Sequence, residues 1–208
     1  MAKFLATTAG KYPNYYAKPV PSFGAERPRL LIVGLAPGLH GANRTGRPFT
    51  GDYAGLLLYR TLHEFGFASA AQSTSNDDGL QLIGCRITNA VRCVPPQNKP
   101  ILQEVKSCNV YLQQELNALD SGAVVLALGG VAHASVLRAY RLPLASYPFG
   151  HGTQHALPGG LELLDSYHCS RYNTQTKRLT EDMFRSVFET ARGLIDAESA
   201  GKRTQRFA

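Results

Sequence analysis

The segment Arg29-Leu30-Leu31-Ile32-Val33-Gly34 is a short, continuously apolar run that ends in glycine. Such a run fits a strand buried on both faces, because a strand with one wet face would alternate polar and apolar residues. Three later segments have the same character: Cys85 to Val91, Ala123 to Leu128 and Leu161 to Ser166. Helical patterns lie between and after them. Gly55 to Phe65 forms one, and Pro100 opens a second in which Val105, Cys108, Leu112 and Leu116 recur at helical spacing. In a third, capped by Thr180, Met183, Phe184, Val187, Phe188, Ala191, Leu194 and Ile195 share one face. Strands alternating with helices imply parallel pairing through right-handed crossovers. The expected fold is α/β, a three-layer α/β/α sandwich around a short, mainly parallel four-stranded sheet.

With 208 residues and 44% hydrophobic content, the chain is long enough for one sizeable core. Pro13, Pro19, Pro21 and Pro28 among tyrosines and glycines break any regular period, so residues 1–28 read as an extended arm. Residues 29–197 are then a single domain, and 198–208, with Lys202, Arg203 and Arg206, a basic mobile tail. The apolar runs are too short to cross a bilayer and no secretory leader is recognisable, so a cytoplasmic protein is expected; a monomer is expected besides. Cys85, Cys93, Cys108 and Cys169 show no disulfide-framework spacing and read as reduced thiols or metal ligands. The formal charge of +7 suggests a polyanionic partner, nucleic acid first.

In a sheet of this kind the loops after the strands converge on one edge, where ligands bind. Gly34 to Asp52 is glycine-rich but lacks the lysine and spacing of a phosphate-binding loop. Thr88 to Pro100 follows the second strand, and Ser166-Tyr167-His168-Cys169-Ser170-Arg171-Tyr172-Asn173-Thr174 follows the last. Together and in this order, the three loops resemble the uracil-DNA glycosylase superfamily. Gly34 to Asp52 and His168-x-Ser170-x-x-Asn173 are similar to its fifth family, the B type, over nearly the whole chain from Tyr15 to Ile195.

The resemblance implies a DNA repair hydrolase that flips uracil, or another deaminated base such as hypoxanthine, out of double- or single-stranded DNA and cuts its N-glycosidic bond. Bond cleavage puts positive charge on the sugar and negative charge on the departing base. A carboxylate and a hydrogen-bond donor are therefore required. Most of the superfamily has an acidic or amide side chain where this chain has Ala36; the fifth family shares the alanine, and the carboxylate role falls on Asp52. Asp52 also stands where an N-cap is expected, before the helix that follows it. His168 is the implied donor to the uracil carbonyl. Gly34, Ala36, Phe49 and Asn89 form the base site, with Phe49 stacking and Asn89 either reading the uracil edge or pinning its loop. His40 is a neighbour, whereas His63 and His133 read as helix-surface residues.

Ser170, Arg171 and Asn173 resemble the element that enters the minor groove and holds phosphates. Cys169 departs from the proline of many relatives, which would leave this loop less stiff. Cys93 and Cys108 match two ligands of a [4Fe-4S] cluster whose other two come from an amino-terminal Cys-x-x-Cys. This chain has no such pair, so no cofactor is expected of it as given; an upstream segment, a lost segment or a lineage without the cluster would each account for that. Two rival functions fit the charge and the loops: a catalytically inactive lesion- or single-strand-binding protein on the same scaffold, and a hydrolase of nucleosides or other small molecules.

Overall fold

The structure is a computed structural model that describes the backbone of residues 2–205 and the side chains of residues 4–201. Its elements in chain order are α1 (Ala2–Lys11), β1 (Phe23–Gly24), β2 (Leu30–Gly34), α2 (Ala42–Thr45), α3 (Tyr53–Glu64), β3 (Cys85–Asn89), α4 (Leu102–Asn117), β4 (Val124–Leu128), α5 (Gly130–Ala139), β5 (Gln154–Leu157), β6 (Leu161–Ser166), α6 (Arg171–Gln175) and α7 (Glu181–Gln205). The sheet order is β1-β3-β2-β4-β6-β5. The four expected strands, β3, β2, β4 and β6, are mutually parallel, and two antiparallel edge strands extend them to six.

Alternation along each central strand builds two cores. Leu30 and Ile32 of β2 face α3 and α7 in one core, while Leu31 and Val33 face α4 and α5 in the other. All five residues of β2 are buried, as expected of a parallel strand with helices on both faces. Full burial of one leucine or phenylalanine side chain contributes roughly 2 kcal/mol. Phe184 and Phe188, both fully buried and packed ring against ring at 5.1 Å, therefore hold α7 strongly to the sheet. The Thr180 cap is present, its Oγ1 accepting from the Met183 N–H at 3.1 Å.

The fold differs from expectation at both ends. The segment expected to be extended contains α1, and its later part joins the sheet, with β1 paired to β3 and Val20 buried. The sheet therefore begins before residue 29. The backbone of α7 continues to Gln205, past the expected tail boundary at 198, and the mobility expected of 206–208 lies outside the described residues. Pro100 precedes rather than begins α4, whose first turn is closed by Glu104 accepting from the Ile101 N–H at 3.0 Å. His133 is 3% exposed and is not a helix-surface residue, because Asp165 of β6 takes it into the core. No helix among the described residues is long and apolar enough to cross a membrane.

Candidate active site

The central strand β2 has β3 on one side and β4 on the other, so successive crossovers leave it in opposite directions. A crevice opens at the carboxyl end of such a strand. A cavity of about 280 Å³ lies there, lined among others by Ala36, Phe49, Asp52, Asn89, His168 and Arg171. Ser170 also reaches its wall. Residues far apart in sequence thus meet where the sheet order alone would bring them.

The glycines of the first loop are set by close approach. A Cβ on Gly34 would fall 2.4 Å from Asn89 Oδ1 and 2.7 Å from the Phe49 ring, so the base of the cavity exists only because this position has no side chain. Phe49 adopts φ +55, a left-handed conformation that is costly for an aromatic residue. Tyr59 donates to the Pro48 carbonyl at 2.8 Å, and the Phe49 carbonyl occupies the space a Cβ on Gly55 would need, which together hold the ring in place.

Asp52 caps α3, its Oδ1 accepting from the Gly55 N–H at 3.0 Å. Its Oδ2 packs on Gly41, where a Cβ would come within 2.6 Å. Burial raises the Asp52 carboxyl pKa, and the backbone N–H groups of Gly55 and Ala54 oppose that rise. Cap and cavity positions coincide in this residue. His168 follows β6, and its ring lies 6.0 Å from that of Phe49 at 27°. Burial depresses its pKa to about 4, so the imidazole is neutral at pH 7 and offers one N–H.

The last loop is anchored by its cysteine although it lacks the proline of many relatives. Cys169 is fully buried, its thiol 3.5 Å from the Ala54 carbonyl, and ties the loop to the first turn of α3. Ser170 caps α6 by accepting from the Asn173 N–H at 3.4 Å. Asn173 lies outside the cavity lining, and its Nδ2 donates to the His168 carbonyl at 2.8 Å. It therefore positions His168. Arg171 places its guanidinium 5.3 Å from the Tyr53 ring centroid at the rim. His40 leaves the site, its ring bonded to the Tyr15 hydroxyl at 2.9 Å.

Three contributors escaped the sequence reading. Asn98 bridges the first two loops by accepting from the Leu39 N–H at 3.2 Å, and Tyr53 forms part of the rim. Arg47, 4% exposed, pairs with Asp78 at 2.6 Å, donates to Ser73 Oγ and the Asn76 carbonyl, and lies over the Phe23 ring. Burial alone would raise the Asp78 pKa, but the bonds from Arg47 and three backbone N–H groups bring it well below the usual carboxylate range. The motif Gly46-Arg47-Pro48-Phe49 was the available signal for Arg47, without any sign that it was structural.

Cys93 and Cys108 are half-buried neighbours; burial, then the adjacent Cys108 thiol, raises the Cys93 pKa. Cys85 and Cys169 are buried in the core on the α3 side of the sheet, away from α4. Among the described residues the thiols do not complete a four-cysteine ligand set, so the residues present do not fit a [4Fe-4S] cluster.

The fold and the site together define a glycosylase-type scaffold whose strand-end cavity is lined by both a carboxylate and an imidazole. The family model described as "Uracil DNA glycosylase superfamily" matches residues 21–192. A type-5 uracil-DNA glycosylase of Thermus thermophilus is 49% identical over 86% of this chain and 82% of its own length. That of Mycobacterium bovis is 44% identical over 88% and 69%, and that of Pyrobaculum aerophilum 39% over 86% and 77%. The chain belongs to the uracil-DNA glycosylase superfamily and, within it, to the type-5 family.

Proposed function

We infer that this chain is a monofunctional DNA repair glycosylase that excises uracil by hydrolysing its N-glycosidic bond, leaving an abasic site. The observation that carries this reading is the meeting of Asp52 and His168 on one small cavity walled by Phe49 and Asn89, in a chain close to type-5 relatives. As the bond opens, the Asp52 carboxylate stabilises the cationic sugar, an effect strengthened by the low polarity that surrounds it. The neutral His168 ring donates to the base carbonyl on which negative charge collects. Phe49 stacks on the extruded base and the Asn89 amide reads its edge. The chemistry is hydrolytic and uses no redox group.

We further propose that double- and single-stranded DNA are both substrates, that hypoxanthine is accepted besides uracil, and that the protein acts as a cytoplasmic monomer. As given, the chain works without an iron-sulfur cluster. The test is single-turnover base release from duplexes and single strands carrying one uracil, hypoxanthine or xanthine. Wild-type protein releases uracil from both forms. Asp52→Asn folds normally, since asparagine caps a helix about as well as aspartate, and loses at least about a hundredfold in rate. Wild-type rates in the folded variant would remove Asp52 from the chemistry.

A further inference from the structure

Asp165 of β6 is fully buried, yet only one of its carboxylate oxygens has a partner. Oδ1 lies 2.9 Å from His133 Nδ1, whereas Oδ2 is buried without a hydrogen bond among the described residues. Such an oxygen is costly, because the charge has lost its solvation on that side and gained nothing in return. A second imidazole stands near it. His155 Nε2 lies 4.0 Å from Oδ2 and donates instead to the Pro148 carbonyl at 3.1 Å.

Sheet geometry explains the meeting. His155 pairs with Leu163 across β5 and β6, and Asp165 is two residues beyond Leu163, so both side chains share the face covered by α5, the helix of His133. One nitrogen of each ring and one carboxylate oxygen all lie within 4.8 Å of one another. Tetrahedral coordination with bonds of about 2.0 to 2.1 Å places ligand atoms roughly 3.3 Å apart, so small side-chain rotations bring the three onto one ion. His133 Nε2 is 2.9 Å from the Tyr147 carbonyl, the kind of acceptor that fixes the tautomer and orientation of a ligating imidazole. The Tyr147 ring lies 5.4 Å from that of His155 and the Phe149 ring 5.6 Å from that of His133, an apolar surround that limits solvent access.

We propose that His133, His155 and Asp165 form a binding site for a divalent transition-metal ion of the zinc type, which clamps the edge strand β5 to β6 and α5. Two imidazoles and one carboxylate suit zinc, with the Pro148 carbonyl or a water at the fourth position. Without metal, a proton on His133 Nδ1 takes the ion's place against Asp165. None of the three residues lines the cavity that holds Asp52 and His168, so the site is separate from the chemistry proposed above.

Neighbouring thiols also bind zinc, so the full chain is tested with Cys93→Ser and Cys108→Ser, stripped by chelator and titrated with Zn²⁺. Calorimetry shows one ion per chain with a Kd of about 1 μM or below. His155→Ala removes the edge-strand ligand, leaves the His133–Asp165 pair intact, and binds at least about a hundredfold more weakly, more than loss of an outer partner costs. Zn²⁺ at about a hundred times Kd raises the melting temperature by about 5 °C or more, and not in His155→Ala. Nitrogen-15 NMR of the labelled rings locates the ion without a change at His155: Zn²⁺ shifts the His133 and His155 nitrogens and leaves those of His63 and His168 in place. Absence of one-to-one binding, undiminished affinity in folded His155→Ala, or shifts confined to other rings would overturn the site.

Discussion

His133 is buried and His168 half-buried, and β6 serves both: Asp165 within the strand meets the first, and the second follows the strand end. Their environments drive them in opposite directions. His133 Nδ1 lies 2.9 Å from Asp165 Oδ1 and its Nε2 2.9 Å from the Tyr147 carbonyl, two acceptors that call for a proton on each nitrogen. Burial lowers its pKa, but the Asp165 bond and charge outweigh burial and carry it above the ordinary value. His168 has only burial acting on it and falls to about 4. A carboxylate partner draws a buried imidazole toward its protonated form, whereas burial alone leaves the other a neutral donor facing a cavity.

Removing His168 tests the second half of the contrast and has the larger effect. His168→Ala lowers the single-turnover excision rate tenfold to a thousandfold, the range for loss of one oriented donor to a developing anion, with little change in DNA affinity. A loss confined to affinity would make His168 a binding residue. Asp165→Asn tests the first half. It leaves His133 buried beside a neutral group and destabilises the fold by about 3 kcal/mol, read by urea denaturation, while the folded fraction keeps the wild-type excision rate. Unchanged stability would mean that the pair contributes nothing net.

A smaller effect separates the two on the pH axis. The folded pKa of His168 is about 4 against an ordinary value of 6.5, so between these values the unfolded chain binds the extra proton. Stability from this group is full above pH 6.5 and is lost as pH falls through 4, by at most about 3 kcal/mol and less because the ring faces an open cavity. His133, with its pKa raised, contributes stability that is full below its unfolded pKa and is lost as pH rises through its folded one. Thermal melts across pH show both limbs in the wild type. His168→Ala flattens the acid limb alone; an unchanged acid slope would contradict the shift assigned to His168.

The four parallel strands are legible in the sequence because each is a short apolar run buried on two faces. β5 is not, since Gln154-His155-Ala156-Leu157 is an edge strand that buries only Leu157 and carries no apolar signal. β1 is two residues long and owes its pairing to the position of β3 rather than to its own composition. In the site, Asp52, Phe49, Asn89 and His168 are legible through motif order and spacing, and the sheet brings all four to one cavity. Asn173 is legible as a site residue, yet the structure has it holding the His168 carbonyl. Arg44 and Arg47 look alike in the chain, and only the distant Asp78 distinguishes them. His133 looks like a helix-surface residue in the chain for the same reason: its partner lies 32 residues away.

The central claim is that the end of β6 presents a neutral imidazole to the departing base. Nitrogen-15 NMR of the labelled histidine rings, titrated from pH 8 to pH 3.5, measures this directly. At pH 7 the account predicts a His168 ring with one protonated nitrogen that titrates near 4, beside a His133 ring that titrates above its ordinary value. A His168 ring that is doubly protonated at pH 7, or that titrates at the ordinary value near 6.5, would contradict it.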